Sequence, residues 1–327
     1  MSGFLKDVLA IDAAAETDRI AAALRQQLRA LRKRGLVLGL SGGVDSSVSL
    51  ALAVAAVGRD RVHGLLMPEA ESDPESLTLG RLVAETYGVA YDIEDIAPAL
   101  AALGCYRRRD AAIRRVVPEY GPGWGFKLAI ADVLGETIGY AISTLVVEDQ
   151  GGRQSRHRMT PETYLGVVAA TSMKQRTRKQ IEFYHADRLN YAVFGTPNRL
   201  EYDQGFFVKN GDGAADVKPI AHLYKSQVYA LAEHLGVPPA IRRRPPTTDT
   251  FPLAQTQEEF YFSLPYEQMD LCLYALNHGV AAAEVAAATG LSEAEASKVY
   301  ADIAAKRRAT RPLHMAPLLV APVEGVD

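Results

Sequence analysis

Leu36-Val37-Leu38 runs directly into Gly39-Leu40-Ser41-Gly42-Gly43-Val44-Asp45-Ser46-Ser47, and a nearly all-apolar stretch follows to Val57. A short apolar strand, a small polar loop and a buried helix, in that order, leave few folds open. Backbone N–H groups of such a loop point inward, and the helix N-terminus adds partial positive charge, so the arrangement cradles an anion. Gly42 and Gly43 permit backbone geometries closed to other residues and let a phosphate approach closely. Ser41, Ser46 and Ser47 add hydroxyl donors. Asp45 is the informative residue. A carboxylate repels phosphate unless a cation lies between them, which points to a bridging Mg²⁺. The loop has neither the GxxxxGK[ST] of a Walker A motif nor the GxGxxG of a dinucleotide fingerprint. A merely polar strand-to-helix turn is the competing reading, and the full hexapeptide between two apolar segments weighs against it.

The flanking pattern extends this unit. Residues 17–34 read as an amphipathic helix with Ile20, Leu24, Leu28 and Leu31 on one face, ended by Gly35. A strand over 61–67, a helix over 74–87 with Pro74 in its first turn and Gly88 as its stop, and a strand over 89–93 come next. The alternation predicts a doubly wound α/β fold: a parallel sheet covered by helices on both faces. Residues 118–161 interrupt it, and their second half reads as a hairpin around Gly151-Gly152. A helix over 164–190, a strand over 191–195 and a helix over 224–235 resume the pattern. From Tyr266 the chain is mostly helical, and its proline-broken tail is expected to pack over the body.

With 327 residues, 48% hydrophobic and 23% charged, the chain holds a sizeable core. It reads as one domain over 1–327, with 118–161 inserted. A net charge of −3 gives no reason to expect a nucleic-acid partner. Cys105 and Cys272 form no metal pattern, so a reducing cytoplasm is the default. No signal segment and no membrane span is expected. Residues 283–307 resemble a helix-turn-helix, but Glu293, Glu295 and Asp302 on its second helix would repel a phosphate backbone.

Ser41-Gly42-Gly43-Val44-Asp45-Ser46 resembles the pyrophosphate loop of the N-type ATP pyrophosphatases, which cleave ATP between the α and β phosphates. Five further segments narrow the likeness. They are Gly195-Thr196-Pro197-Asn198 with Glu201, Gly205 to Gly213 with Asp216, Lys218-Pro219-Ile220, Lys225-Ser226-Gln227, and Pro246-Thr247-Thr248-Asp249. In order they resemble GT[DG]NxxE, GxFTKYGDGxxD, NPI, K[TR]Q and KxPTAD of the ammonia-dependent NAD synthetases. Lys174, Arg176 and Arg178 match that family's NxKARxRM, residues 255–270 its QTDEExLGxSYxxxD, and Lys306-Arg307-Arg308 its KR segment.

The resemblance implies a ligase that adenylates a carboxylate with ATP, releases pyrophosphate, and lets ammonia displace AMP, deamido-NAD being the family's substrate. It implies metal binding by Asp45 and Glu201, and ATP binding by Gly39, Ser41, Gly42, Gly43, Asp45, Ser46, Ser47, Thr196, Lys225 and Thr247. Asp212, Asp216, Lys225 and Thr247 become the candidate catalytic residues, with Asp212 on a glycine-flanked loop able to take a proton from ammonium. Ser172, Arg178, Phe183, Lys209 and Asp216 fall on the substrate side. A homodimer is implied, its pyridine-nucleotide site drawing on both subunits. No glutaminase domain is recognisable, so nitrogen would come from free ammonia or a separate ammonia-supplying protein.

Each residue has a plainer reading beside this one. Lys225 could be a solvated helix lysine and Asp216 a turn cap. Lys174, Arg176 and Arg178 could form a solvated basic face, and Lys306 to Arg308 cations at a helix end. Trp124 reads as packing. The chain also departs from the family pattern. Pro197 replaces an aspartate, Val208 and Asn210 replace a threonine and a tyrosine, and Ser172 and Phe183 stand where Asn and Tyr are usual. With the 118–161 insertion, these changes gather on the acyl-substrate side. They keep open a related amide ligase acting on another carboxylate, and more remotely a nucleotide-binding module without catalysis.

Overall fold

The computed structural model describes residues 6–129, 144–247 and 251–325. Its strands are β1 (Leu36–Gly39), β2 (Val62–Leu66), β3 (Ala90–Ile93), β4 (Gly125–Ala129), β5 (Thr144–Glu148), β6 (Gln154–Arg158) and β7 (Ala192–Val193). The first half of the chain carries helices α1 (Ala13–Leu31), α2 (Val44–Val57), α3 (Pro74–Thr86), α4 (Ala97–Ala102), α5 (Cys105–Ile113) and α6 (Pro161–Leu189). The second half carries α7 (Arg199–Gln204), α8 (Lys225–His234), α9 (Pro239–Arg242), α10 (Tyr266–Asn277), α11 (Ala282–Thr289) and α12 (Glu293–His314).

Strands β3, β2, β1 and β7 pair in that order, all parallel. Successive side chains of a strand point to opposite faces, and β1 shows it. Leu36 and Leu38 join a core with α1, α2, α3 and α8. Val37 faces the other way, into a core with Ile96, Leu100, Cys105 and Ala186 from α4, α5, α6 and their approach. All three β1 side chains are fully buried, each contributing roughly 1.5–3 kcal/mol of apolar burial. The expected α/β sheet with helices on both faces is what forms.

Strands β4, β5 and β6 make a separate antiparallel sheet. The hairpin turns at Gly151-Gly152, where Asp149 Oδ1 accepts from the amides of Gly151 and Arg153 at 2.8 and 3.0 Å. Phe126, Leu128, Leu145 and Val147 bury against Ile113 and Phe251. Trp124 lies edge-on to Tyr120 as part of the same packing. Residues 130–143, central to the segment 118–161 expected to be an insertion, lie outside the described residues.

Three local expectations change. Helix α1 ends at Leu31, with Arg32 rather than Gly35 taking the left-handed cap at φ 54°. Helix α12 continues past Lys306-Arg307-Arg308 to His314, with Pro312 in its last turn, so those cations lie within the helix. The tail does not pack over the body: Leu318 is 82% exposed. The pair α11–α12 buries Val285, Ala296, Val299 and Ile303 against α10. Among the described residues no helix is long and apolar enough to cross a membrane.

Candidate active site

The glycine-rich loop leaves the C-terminal end of β1 and enters α2. Gly42 is held at φ +75°, and a Cβ there would lie 2.6 Å from the Ser76 carbonyl oxygen and 2.9 Å from Leu79 Cβ. The loop therefore presses against α3 at a point only glycine fits. Gly43 differs from expectation. Its φ of −88° is open to any residue, and a Cβ would meet only Ser41 Oγ, at 3.4 Å. Its small size leaves room in front of the loop; backbone freedom is not the reason for it. The hydroxyls of Ser46 and Ser47 donate back to the Gly43 carbonyl at 3.0 and 2.8 Å. Ser41 Oγ lies 3.1 Å from Ser46 Oγ. The serines brace the loop from within.

Asp45, in the first turn of α2, meets two other elements. Its Oδ2 forms an ion pair with Lys225 Nζ, and its Oδ1 accepts from Asn198 Nδ2 at 3.0 Å. Asn198 caps α7 in a reciprocal box. Its side chain accepts from the Glu201 amide at 3.2 Å, and Glu201 Oε2 accepts from the Asn198 amide at 3.0 Å. Gln257 Nε2 donates to Glu201 Oε1 at 3.0 Å. Burial first, and the negative charge of Asp45 second, push the Glu201 carboxyl up to about 8. Lys225 opens α8 and is only 2% exposed. Burial disfavours its charge, but Asp45 and Glu201 hold its pKa above the ordinary lysine value. Asp270, from α10, accepts from the amides of Lys225 and Ser226 at 3.1 and 2.7 Å and so caps α8 from a distance.

Asp45 and Glu201 lie close enough for the charge of the first to act on the second. They offer hard oxygen atoms of the kind Mg²⁺ takes, so the donor set fits the expected ion. A cleft beside them is lined by Asn198, Lys225, Pro246, Thr256, Gln257 and Tyr266. Thr247 forms an isolated antiparallel bridge with Thr256 at its edge, while Thr248 and Asp249 lie outside the described residues. Thr196 follows β7, half-buried. Gly39 ends β1, where a Cβ would sit 3.1 Å from Glu182 Oε1.

The substrate-side residues separate. Arg178 Nε donates to the Met67 carbonyl at 3.3 Å, at the C-terminal end of β2. Asp212 Oδ1 accepts from the Val208 amide at 2.8 Å, and burial raises its pKa. Asp216 Oδ2 accepts from the Val193 amide at 2.7 Å, pinning the loop to β7. Lys209 Nζ donates to the Pro312 and Met315 carbonyls at 2.9 and 3.4 Å, holding the end of α12. Phe183 packs against the core beneath α6. Ser172 is half-buried on α6.

Sequence reasoning gave no role to Asn198, Gln257 or Asp270, although all three stand in quoted motifs. Asn198 followed by Glu201 three positions later is a capping-box signature that could have found the first. Lys174, matched to the family's NxKARxRM with a solvated basic face as the plainer alternative, is 1% exposed, which rules that alternative out for it. Its Nζ pairs with Glu69 at 2.8 Å and Glu71 at 2.6 Å. Arg109 pairs with Glu71, and Tyr106 donates to Glu69 at 2.7 Å. Burial works against the Glu69 charge, yet Lys174 and Tyr106 hold its pKa below the usual range.

A parallel sheet whose first glycine-rich turn presents a carboxylate, beside a second carboxylate and a buried lysine, makes an α/β protein with an anion cradle, and the loop resembles that of the N-type ATP pyrophosphatases. The comparison with protein families narrows this. The NAD synthase model matches residues 16–115 and 131–310, and the chain belongs to that family. The NH(3)-dependent NAD(+) synthetase of Rhizobium meliloti (strain 1021) is 70% identical over 324 residues, covering 99% of this chain and 97% of that one. Its counterpart in Rhizobium rhizogenes (strain K84 / ATCC BAA-868) is 65% identical over 324 residues, 98% and 97% of the two chains. In fold, the chain resembles the NH3-dependent NAD synthetase from Campylobacter jejuni at a TM-score of 0.62 and 20% identity, covering 95% of this chain and all of that one.

Proposed function

We propose that this chain converts deamido-NAD to NAD with ATP and ammonia. The chain is a carbon–nitrogen ligase of the NAD synthase family. The observation that carries the mechanism is the meeting of Asp45, Asn198, Glu201 and Lys225 at the mouth of the glycine-rich loop. In the first step a carboxylate oxygen of the substrate attacks the α-phosphorus of ATP. The bond to the bridging oxygen breaks, and pyrophosphate leaves. The cradle and Lys225 stabilise the charge on the departing phosphates. Mg²⁺ held by Asp45 and Glu201 would screen phosphate from carboxylate and act as a Lewis acid.

In the second step ammonia attacks the acyl carbon, the carbon–oxygen bond to AMP breaks, and one proton is lost. Asp212 is our candidate for receiving a proton on the ammonia side, since its raised pKa makes it a better base than an ordinary carboxylate. Thr196 and Thr247 belong to the ATP side of this reading, and Arg178 and Ser172 to the substrate side. Lys209, Asp216 and Phe183 support it indirectly, through the contacts that hold their loops. We further propose a homodimer, and a cytoplasmic setting, where ATP and ammonium are available.

The test is pyrophosphate release from ATP with Mg²⁺, ammonium and deamido-NAD, with product mass read alongside. NAD should form with one pyrophosphate per turnover. ATP cleavage that yields no NAD, but an amide of another carboxylate, would overturn the substrate and leave the chemistry. Absence of both would overturn the reading.

A further inference from the structure

His63 on β2, Asp92 on β3 and His185 on α6 meet in one cluster. His63 stands on β2 opposite Ala90 of β3. Two residues on, Asp92 returns to the same face of the sheet. Helix α6 covers that face and brings in His185. His63 Nε2 lies 2.9 Å from Asp92 Oδ2, and His185 Nδ1 lies 3.5 Å from the same oxygen. One ligand atom from each residue lies within 4.8 Å of the other two. The two imidazoles stack at 5.5 Å and 18°. Glu94, also two residues further along the same strand direction, places Oε1 2.9 Å from His185 Nε2. A carboxylate there fixes the proton on Nε2 and leaves the Nδ1 lone pair directed at the cluster, the usual outer partner of a metal-ligating histidine.

We propose that His63 Nε2, Asp92 and His185 Nδ1 form a binding site for a divalent transition metal of the Zn²⁺ or Co²⁺ class, with Glu94 as outer-sphere partner and Arg188 as the group that occupies it otherwise. Two imidazoles and one carboxylate suit these ions, whereas Mg²⁺ prefers oxygen atoms alone. Metal–ligand bonds of 2.0–2.1 Å would need ligand atoms about 3.3 Å apart, a contraction within reach of side-chain rotation. Arg188, one turn beyond His185, donates to His185 Nδ1 at 2.7 Å and to Asp92 Oδ2 at 3.0 Å. Its guanidinium thus covers the two lone pairs a metal would use. Its side chain is 39% exposed, and Asp92 44%, so it can swing out to admit the ion. A bound metal would tie β2, β3 and α6 together.

The experiment uses tag-free full-length protein, stripped with chelator and titrated with Co²⁺ in a large excess of Mg²⁺. We expect one equivalent of Co²⁺ with visible d–d absorption that Mg²⁺ does not displace, and a raised melting temperature. His63→Ala and His185→Ala should each weaken Co²⁺ binding at least about tenfold. Arg188→Gln, a change at an exposed side chain, should strengthen it about tenfold. An equivalent of Co²⁺ that survives both histidine substitutions would overturn the proposal. So would an affinity unchanged in Arg188→Gln, or no binding by either the natural protein or that variant.

Discussion

The phosphate end and the α6 face are both built from buried charges, and both join residues remote in sequence. Lys225 reaches Asp45 across 180 positions, and Lys174 reaches Glu69 across 105. Yet the first group's chemistry was legible in the sequence, whereas of the second only Lys174 was singled out, as a motif match, and neither its burial nor its partners Glu69 and Glu71 showed. At the phosphate end a polyphosphate and its counter-ion dictate residue types: small residues for approach, a carboxylate for the ion, a lysine for the anion. Chemistry imposed from outside the chain leaves a motif. In the Lys174 cluster each charge answers to another part of the same chain. Any lysine with any two glutamates would serve, and nothing in a heptad marks which lysine is buried. Equal burial therefore carries unequal information, and the two regions should fail differently when disturbed.

The largest effect should fall on chemistry. Asp45→Asn keeps the shape and the hydrogen bond from Asn198 but removes the charge. Pyrophosphate release should drop about a thousandfold or more, measured on protein shown to be folded, because buried Lys225 also loses its ion-pair partner. Ordinary turnover would remove Asp45 from the mechanism and break the distinction at its strongest point.

On α6 the effect should be on stability. Lys174→Met leaves Glu69 and Glu71 without their shared cation in a buried setting, which costs about 3–5 kcal/mol, measurable by urea unfolding. Adding Glu69→Gln should recover part of that loss. If Lys174→Met instead abolished turnover at unchanged stability, α6 would be part of the chemistry and the comparison would collapse.

Asp270 lies between the two kinds. It sits in a motif but caps α8 under Lys225 instead of facing the cleft. Burial pushes its carboxyl up to about 6, against 3.8 ordinarily. A raised folded-state pKa means that its contribution is full below the unfolded value and is lost as pH rises through the folded one. Relative to Asp270→Asn, which does not titrate, the natural protein should lose roughly 2 kcal/mol of stability between pH 4 and 7. Unfolding curves for both proteins across that range check it. A flat difference would mean that the two N–H donors already hold the carboxylate at its ordinary pKa.

The same contrast explains what the sequence revealed. Strand and helix alternation showed the parallel sheet because β1, β2 and the helices between them are apolar in runs that only a two-sided burial explains. The hairpin at Gly151-Gly152 was equally plain. Hidden from it were the pairing of Gln255 Nε2 with the Leu128 carbonyl at 2.6 Å and that of Lys127 with Glu259 at 2.7 Å. These seat the antiparallel sheet on the segment that carries Gln257 to Glu201. They are contacts between two regions with no shared period, and no local pattern encodes them. The exposed tail was misread because apolar residues such as Leu318 suggest burial, whereas nearby prolines leave the segment no repetitive face to bury.

The smallest effects separate two adjacent glycines. Gly42→Ala forces a left-handed φ on a residue with a Cβ and drives it against the Ser76 carbonyl and Leu79. It should destabilise the fold by about 1–3 kcal/mol. Gly43→Ala meets neither obstacle: its φ is ordinary, and the new methyl points into the space before the loop. Stability should stay within about 0.5 kcal/mol, while the KM for ATP rises as the methyl meets the incoming phosphate. The pair thus divides what a glycine-rich loop does for its own backbone from what it does for its ligand. If Gly43→Ala left the KM unchanged, the phosphates would approach from elsewhere, and the loop would be a brace for α2 and α3 instead of a cradle.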